Sequence, residues 1–146
     1  MRLILCRGCP GSGKSTFVKT VFPGVFHVEN DMWHVKDGEY RYSAKKQANA
    51  ISWCLDMVRR ALEEGMDVAV SNTFTKKGYV EAYRKIAEEF KAEFVVYRLR
   101  GEFENKHSVP AEVLRNMKNK FADWPGEINV YPGVEVGSYS FAQGAV

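Results

Sequence analysis

Short continuous apolar runs alternate along this chain with longer stretches in which apolar residues recur at helical spacing. The first run, Leu3-Ile4-Leu5-Cys6, is unbroken, which predicts a strand buried within a sheet. A glycine-rich stretch follows, then Phe17-Val18-Lys19-Thr20-Val21-Phe22, which predicts a helix ended by the turn Pro23-Gly24. Val25-Phe26-His27-Val28 predicts a second strand that delivers Asp31 to its C-terminal end, and residues 36–42, polar and aromatic with Asp37-Gly38 as a turn signal, predict a loop. Ser43 then caps a predicted helix over 44–64, with Ala48, Ile51, Cys54, Leu55, Val58 and Leu62 on one face and Gly65 as its stop.

Val68-Ala69-Val70 predicts a third buried strand, running out into Ser71-Asn72-Thr73. A helix over 77–90 and a strand over 94–99 complete the alternation. Residues 101–108 read as a polar loop. Val109-Pro110 opens a further helix over 111–120, with the proline in its first turn. The tail, about 127–146, predicts one short strand at Ile128-Asn129-Val130-Tyr131 and then a frayed end.

Strands alternating with helices predict an α/β fold, a doubly wound parallel sheet with helices on both faces. Ligands in such folds sit at the C-terminal edge of the strands. Three loops converge there: 8–16, the segment carrying Asp31, and Ser71-Asn72-Thr73. They form one candidate site.

At 146 residues the chain is expected to be a single domain, 1–146, with its own core. No apolar run has the length of a membrane span and the chain opens directly on its first strand, so a soluble cytoplasmic protein with no membrane or obligate protein partner is expected. Three cysteines, Cys6, Cys9 and Cys54, point to a reducing compartment, and Cys6-x-x-Cys9 reads as core packing and loop filling rather than a metal or redox pair. A net charge of +3 permits a polyanionic partner without demanding one.

The chemistry starts at Gly8-Cys9-Pro10-Gly11-Ser12-Gly13-Lys14-Ser15-Thr16, between a predicted strand and a predicted helix. That context and the G-x-x-x-x-G-K-[ST] spacing define a Walker A phosphate loop. Its glycines turn successive N–H groups inward as a nest for phosphate oxygens, and the helix start adds partial positive charge. Lys14 is placed to reach the β- and γ-phosphates of ATP, and the Ser15 hydroxyl to ligate Mg²⁺; Thr16 is placed at the α-phosphate. Phosphoryl transfer then needs a carboxylate to orient the acceptor hydroxyl and take its proton. Asp31 is the carboxylate that the strand reading sets beside the loop, and a helix N-cap is its structural alternative. Trp33, Tyr40 and Tyr42 interleave with His34, Arg41, Lys45 and Lys46, as a groove for stacked bases and phosphates needs; padding of a sheet edge is the alternative.

The phosphate loop, Val28-Glu29-Asn30-Asp31-Met32-Trp33, Val70-Ser71-Asn72-Thr73, and residues 105–117 from Asn105 to Met117, in that order, resemble the phage-type polynucleotide 5′-hydroxyl kinase domain and its P-loop relatives over about residues 1–126. The resemblance implies a small P-loop kinase with a helical lid over ATP at about 101–120, Asp31 as the activating aspartate, and Lys106, His107 and Arg115 as lid cations near the transferring phosphate. It also implies a nucleic acid substrate, DNA rather than RNA, and host cytoplasm as the location if a phage encodes the chain; the expected substrate contacts, Trp33, His34 and Arg41, come from the interleaved rings and cations. Three positions depart from the pattern. Trp33-His34 stands where an arginine would hold an acceptor phosphate, Ser71-Asn72 where an acid would close the third strand, and Glu104 where a lid arginine is expected. The implied activity is transfer of the γ-phosphate to a 5′-hydroxyl end. Kinases of 5-hydroxymethyluracil in DNA, kinases of small metabolites or nucleosides, and a nucleotide-binding module without transfer activity are the alternatives.

Overall fold

The computed structural model describes residues 1–103 and 109–132. Five strands, β1 (Arg2–Arg7), β2 (Phe26–Val28), β5 (Val68–Asn72), β6 (Glu93–Leu99) and β7 (Ile128–Val130), form one sheet in the order β2-β5-β1-β6-β7. All four neighbouring pairs are parallel. The helices are α1 (Lys14–Val21), α2 (Asn30–Trp33), α3 (Gln47–Glu63), α4 (Lys77–Phe90) and α5 (Ala111–Lys120). Strands β3 (Val35–Lys36) and β4 (Glu39–Tyr40) pair antiparallel as a small hairpin.

The central strand β1 feeds two cores because successive side chains point to opposite faces. Leu3 and Leu5 pack with Val58, Leu62, Val80, Ile86 and Val96 under α3 and α4. Ile4 and Cys6 pack with Phe17, Val18, Phe22, Tyr97 and Leu99 under α1. A strand buried on both sides has no room for polar residues in its middle, which is why its sequence reads as an unbroken apolar run.

The same period puts Arg7 on the Leu3–Leu5 face, and it is fully buried. Its Nε donates to Phe74 O at 3.1 Å, Nη2 to the same oxygen at 2.5 Å, and Nη1 to Glu127 Oε1 at 2.9 Å. Arg98, on β6, donates to Asp123 Oδ1 at 2.5 Å and to Glu127 Oε2 at 3.3 Å. Both guanidiniums lie over the Phe121 ring, that of Arg7 4.5 Å and that of Arg98 4.4 Å from its centre. Buried cations survive only when paired and fully hydrogen-bonded. This cluster ties the chain leaving α5 to the strand that enters the phosphate loop.

Several boundaries differ from expectation. The second strand is shorter by Val25, and the third extends through Ser71 to Asn72. Residues 36–42 are not simply a loop: Asp37 and Gly38 take φ of 54° and 76°, the left-handed pair that closes a two-residue hairpin. The long helix begins as a 3₁₀ turn, Ala44–Lys46, and Ser43 makes no side-chain cap bond. Helices α4 and α5 fall on the expected residues. Lys106 and His107, and the tail beyond residue 132, lie outside the described residues. Among those described, no helix is long and apolar enough to cross a membrane.

Candidate active site

The phosphate loop runs from the end of β1 into α1 and is held by backbone hydrogen bonds. The Gly8 N–H donates to Thr73 O at 3.3 Å, Ser12 N–H to Cys9 O at 3.1 Å, and Phe17 N–H to Gly13 O at 2.9 Å. Two glycines are dictated by geometry. A Cβ on Gly8 would lie 2.5 Å from Ser12 Oγ and 2.8 Å from Leu99 O, and Gly13 sits at φ 92° as the N-cap of α1. The first-turn N–H groups of α1 have no carbonyl within the helix to bind, so they face the loop's concave side.

Lys14 Nζ donates to Gly8 O and Cys9 O, each at 3.1 Å. Burial pushes its pKa down, and the charge of Asp31 opposes that shift. A buried ammonium held by carbonyls in a glycine-rich cradle fits the phosphates of a nucleotide. Ser15 Oγ donates to Glu29 Oε2 at 2.7 Å, so a hydroxyl and a carboxylate meet at the loop's end; this oxygen donor set fits Mg²⁺. Cys9 is half-buried in the loop and Cys6 lies in the core, each thiol pushed up by burial. Neither forms a disulfide, and no metal-ligating cluster of His, Cys, Asp and Glu occurs among the described residues.

The loop forms the floor of a cavity of about 900 Å³. One wall is apolar: Leu99, Phe103, Val109, Val113, Met117 and Val130. Phe103 begins it, its N–H donating to Gly11 O at 2.7 Å and its ring lying over Gly13. Arg115, expected at the phosphates, is exposed on α5 and does not line the cavity. Helix α5 turns Val113 and Met117 toward the cavity instead, a spacing that places both on one helical face.

The opposite wall is polar: Glu29, Asp31, Tyr40, Tyr42, Gln47 and Asn72. Asp31 stands in the first turn of α2. The N-cap of that helix is Glu29, so the capping alternative for Asp31 does not hold. Tyr40 Oη donates to Asp31 Oδ1 at 3.2 Å, and burial together with the aspartate's charge pushes the phenol's pKa up, keeping it a donor. Helix α2 is fixed from β5: Asn72 Oδ1 accepts the Asn30 N–H at 2.7 Å, and Asn72 Nδ2 donates to Asn30 Oδ1 at 3.1 Å.

Of the three expected substrate contacts, one is buried. His34 is buried, its Nε2 2.6 Å from Gln47 Oε1 and its ring packed against Trp33 and Tyr42. It braces the hairpin against α3 rather than presenting itself to a substrate. Trp33 is half-buried with Lys36 Nζ 5.5 Å from its ring centre, and Arg41 is exposed and paired with Glu39 at 2.8 Å. Sequence reasoning gave no role to Glu29 or Phe103. Glu29 carries a signal in retrospect, a carboxylate directly after a strand aimed at the loop, but its contact with Ser15 is tertiary.

A family model described as an AAA domain matches residues 3–100, from β1 through β6. An uncharacterized protein of Pasteurella multocida, PM0531, is 31% identical over 143 residues, covering 84% of this chain and 78% of the relative. Among solved structures, a putative kinase from Chloroflexus aurantiacus aligns with TM-score 0.72 at 13% identity, over 99% of this chain and 97% of its own. The Mycobacterium tuberculosis APS kinase CysC, solved with AMPPNP and APS, aligns with TM-score 0.69 at 12% identity, covering 99% and 95%. A chain of the Pnkp1/Rnl/Hen1 complex aligns with TM-score 0.58 at 19% identity, covering 79% of this chain and 38% of that one. The chain therefore belongs to this AAA domain family and carries the fold of the P-loop kinases.

Proposed function

We propose that this protein is an ATP- and Mg²⁺-dependent kinase that transfers the γ-phosphate to a hydroxyl group on nucleic acid, the 5′-hydroxyl end of DNA in the first instance. The observation that carries the reading is the placement of Asp31 on the wall of the cavity whose floor is the phosphate loop, with Tyr40 Oη hydrogen-bonded to its carboxylate. In the transfer, the acceptor oxygen forms a bond to the γ-phosphorus while the bond from that phosphorus to the β,γ-bridging oxygen breaks. The acceptor proton passes to the Asp31 carboxylate and ADP leaves. Lys14 and the N–H groups of the loop stabilise charge on the phosphates. Ser15 would hold Mg²⁺, which would supply charge neutralisation at the phosphates. Tyr42 lines the cavity, and Trp33 on α2, Lys36 on β3 and Arg41 directly after β4 add flat rings and cations outside its lining, the chemistry that nucleic acid strands bind. The resemblance to polynucleotide kinases supports the same acceptor.

One observation favours a second reading, phosphorylation of the hydroxymethyl group of a modified uracil within DNA. The position where an end-phosphate arginine is expected holds Trp33-His34, and burial of His34 leaves no cation from that pair to hold a terminal phosphate. Incubation with γ-labelled ATP, Mg²⁺ and a panel of acceptors separates the readings. The panel is 5′-hydroxyl DNA and RNA oligonucleotides, end-blocked duplex containing hydroxymethyluracil, and free nucleosides and sugars. Label on hydroxyl ends supports the first reading and label on the blocked duplex alone the second. Label on small molecules alone overturns both in favour of a metabolite kinase, and no label on any acceptor favours a nucleotide-binding module.

A further inference from the structure

We propose that Glu29 is the acidic residue of the metal site, standing in for the acid that the end of β5 lacks. The inference rests on reading the phosphate loop as a nucleotide and Mg²⁺ site. Strand β5 lies beside β1 in register, with Asn72 opposite Arg7, so its C-terminal end flanks the phosphate loop. The side chains there are neutral and already engaged. Asn72 directs both ends of its amide at Asn30, and the Ser71 hydroxyl lies 2.8 Å from His27 Nε2. Neither offers negative charge to a cation on Ser15.

The charge arrives from the next strand outward. Strand β2 pairs with β5 as far as Val28 opposite Val70, and the residue that follows is Glu29. Its carboxylate crosses the end of β5 to accept the Ser15 hydroxyl at 2.7 Å, and His27 Nε2 lies 3.6 Å from the same oxygen. Glu29 lines the cavity, and both side chains are largely shielded from water, Glu29 being 24% exposed. A carboxylate that accepts the hydrogen of a ligating hydroxyl turns the hydroxyl's lone pairs toward the cation and adds a full negative charge beside it. It also offers an acceptor for a metal-bound water. Two carboxylates of α2 and its cap thus take separate tasks, Glu29 with the cation at Ser15 and Asp31 with the acceptor proton under Tyr40.

The test separates nucleotide binding from metal binding. AMPPNP is titrated into the full chain in EDTA by calorimetry, and Mn²⁺ is then titrated into the protein–AMPPNP complex and followed by electron paramagnetic resonance. Glu29→Gln keeps the size of the side chain and a hydrogen-bond acceptor but removes the charge. It is expected to leave metal-free AMPPNP affinity within about twofold and to weaken Mn²⁺ about 10- to 100-fold. Adding Asn72→Asp to that variant, which puts an acid at the end of β5, is expected to recover Mn²⁺ affinity. Equal Mn²⁺ affinity in wild type and Glu29→Gln overturns the inference, as does a metal-free AMPPNP loss as large as the Mn²⁺ loss. Absence of recovery in the double variant overturns the substitution of one acid for the other. Failure of the wild type to bind AMPPNP under either condition overturns the nucleotide reading itself, and the inference with it.

Discussion

The two halves of the cavity are built in different ways. The phosphate half is contiguous in sequence: Ser12 bonds back to Cys9 and Phe17 to Gly13 through the backbone, and Lys14 finds its partners within the same loop. The acceptor half is assembled from separated pieces. Asp31 reaches its place because Asn72 grips Asn30 across 42 positions, Tyr40 returns through a hairpin, and His34 is anchored by Gln47 on α3. One half is a local motif; the other is a set of side-chain contacts between separated segments. The phosphate half should therefore fail when its backbone support fails, and the acceptor half when a single hydrogen bond is removed.

The largest effect should come from undermining the phosphate half from beneath. Arg7→Met takes three donors from Phe74 O and Glu127, leaving buried acceptors short of partners while Arg98 still holds one oxygen of Glu127. A loss of about 3 kcal/mol in urea unfolding is expected. A loss below about 1 kcal/mol would show that the cluster is not what secures the end of β1.

A smaller and more selective effect is expected in the acceptor half. Tyr40→Phe deletes the hydroxyl that donates to Asp31 and keeps the ring. Steady-state kinetics should show kcat reduced roughly five- to tenfold, the equivalent of about 1 to 1.4 kcal/mol, with the KM for ATP unchanged. A change in the ATP KM alone would blur the division between the halves.

The smallest effect lies away from both halves, where Asp67 accepts Arg2 Nη2 at 2.7 Å and the Arg2 N–H at 2.9 Å. Burial pushes this carboxyl up, but the hydrogen bonds from Arg2 outweigh it and hold the pKa below its ordinary value. A folded pKa below the unfolded one means that the pair contributes stability above about pH 4, lost as pH falls through the folded value. The wild type should exceed Asp67→Asn by less than about 1 kcal/mol at pH 6 in urea unfolding, and the gap should shrink toward pH 3. Transfer activity at neutral pH should not separate the two proteins.

The contrast also explains what could be read in advance. Strands β1 and β6 and helices α4 and α5 were legible because buried strands write unbroken apolar runs and helices write apolar faces, each closed by glycine, proline or polar residues. The phosphate loop was legible because its conformation is local. The hairpin was not, since strands of two residues carry no period, and Asp37 takes a left-handed conformation that only its neighbour Gly38 advertises. His34 looked like a surface cation because its burial depends on Gln47, which helix α3 brings from 13 positions away. Arg7 shares a face with Leu3 and Leu5, a period that marks it as inward-facing, yet its partner Glu127 lies 120 positions on and no local pattern connects them. Glu29 was missed because its contact with Ser15 forms only once β2 pairs with β5 beside the phosphate loop.

The most direct test of the proposed chemistry is Asp31→Asn, read by two measurements on the same protein: AMPPNP affinity by calorimetry and label transfer to the acceptor that the wild type accepts. The account predicts unchanged nucleotide affinity and a transfer rate lower by about 10²- to 10⁴-fold, since the variant keeps the size of the side chain but cannot take the proton. Transfer at the wild-type rate would contradict it and remove Asp31 as the base.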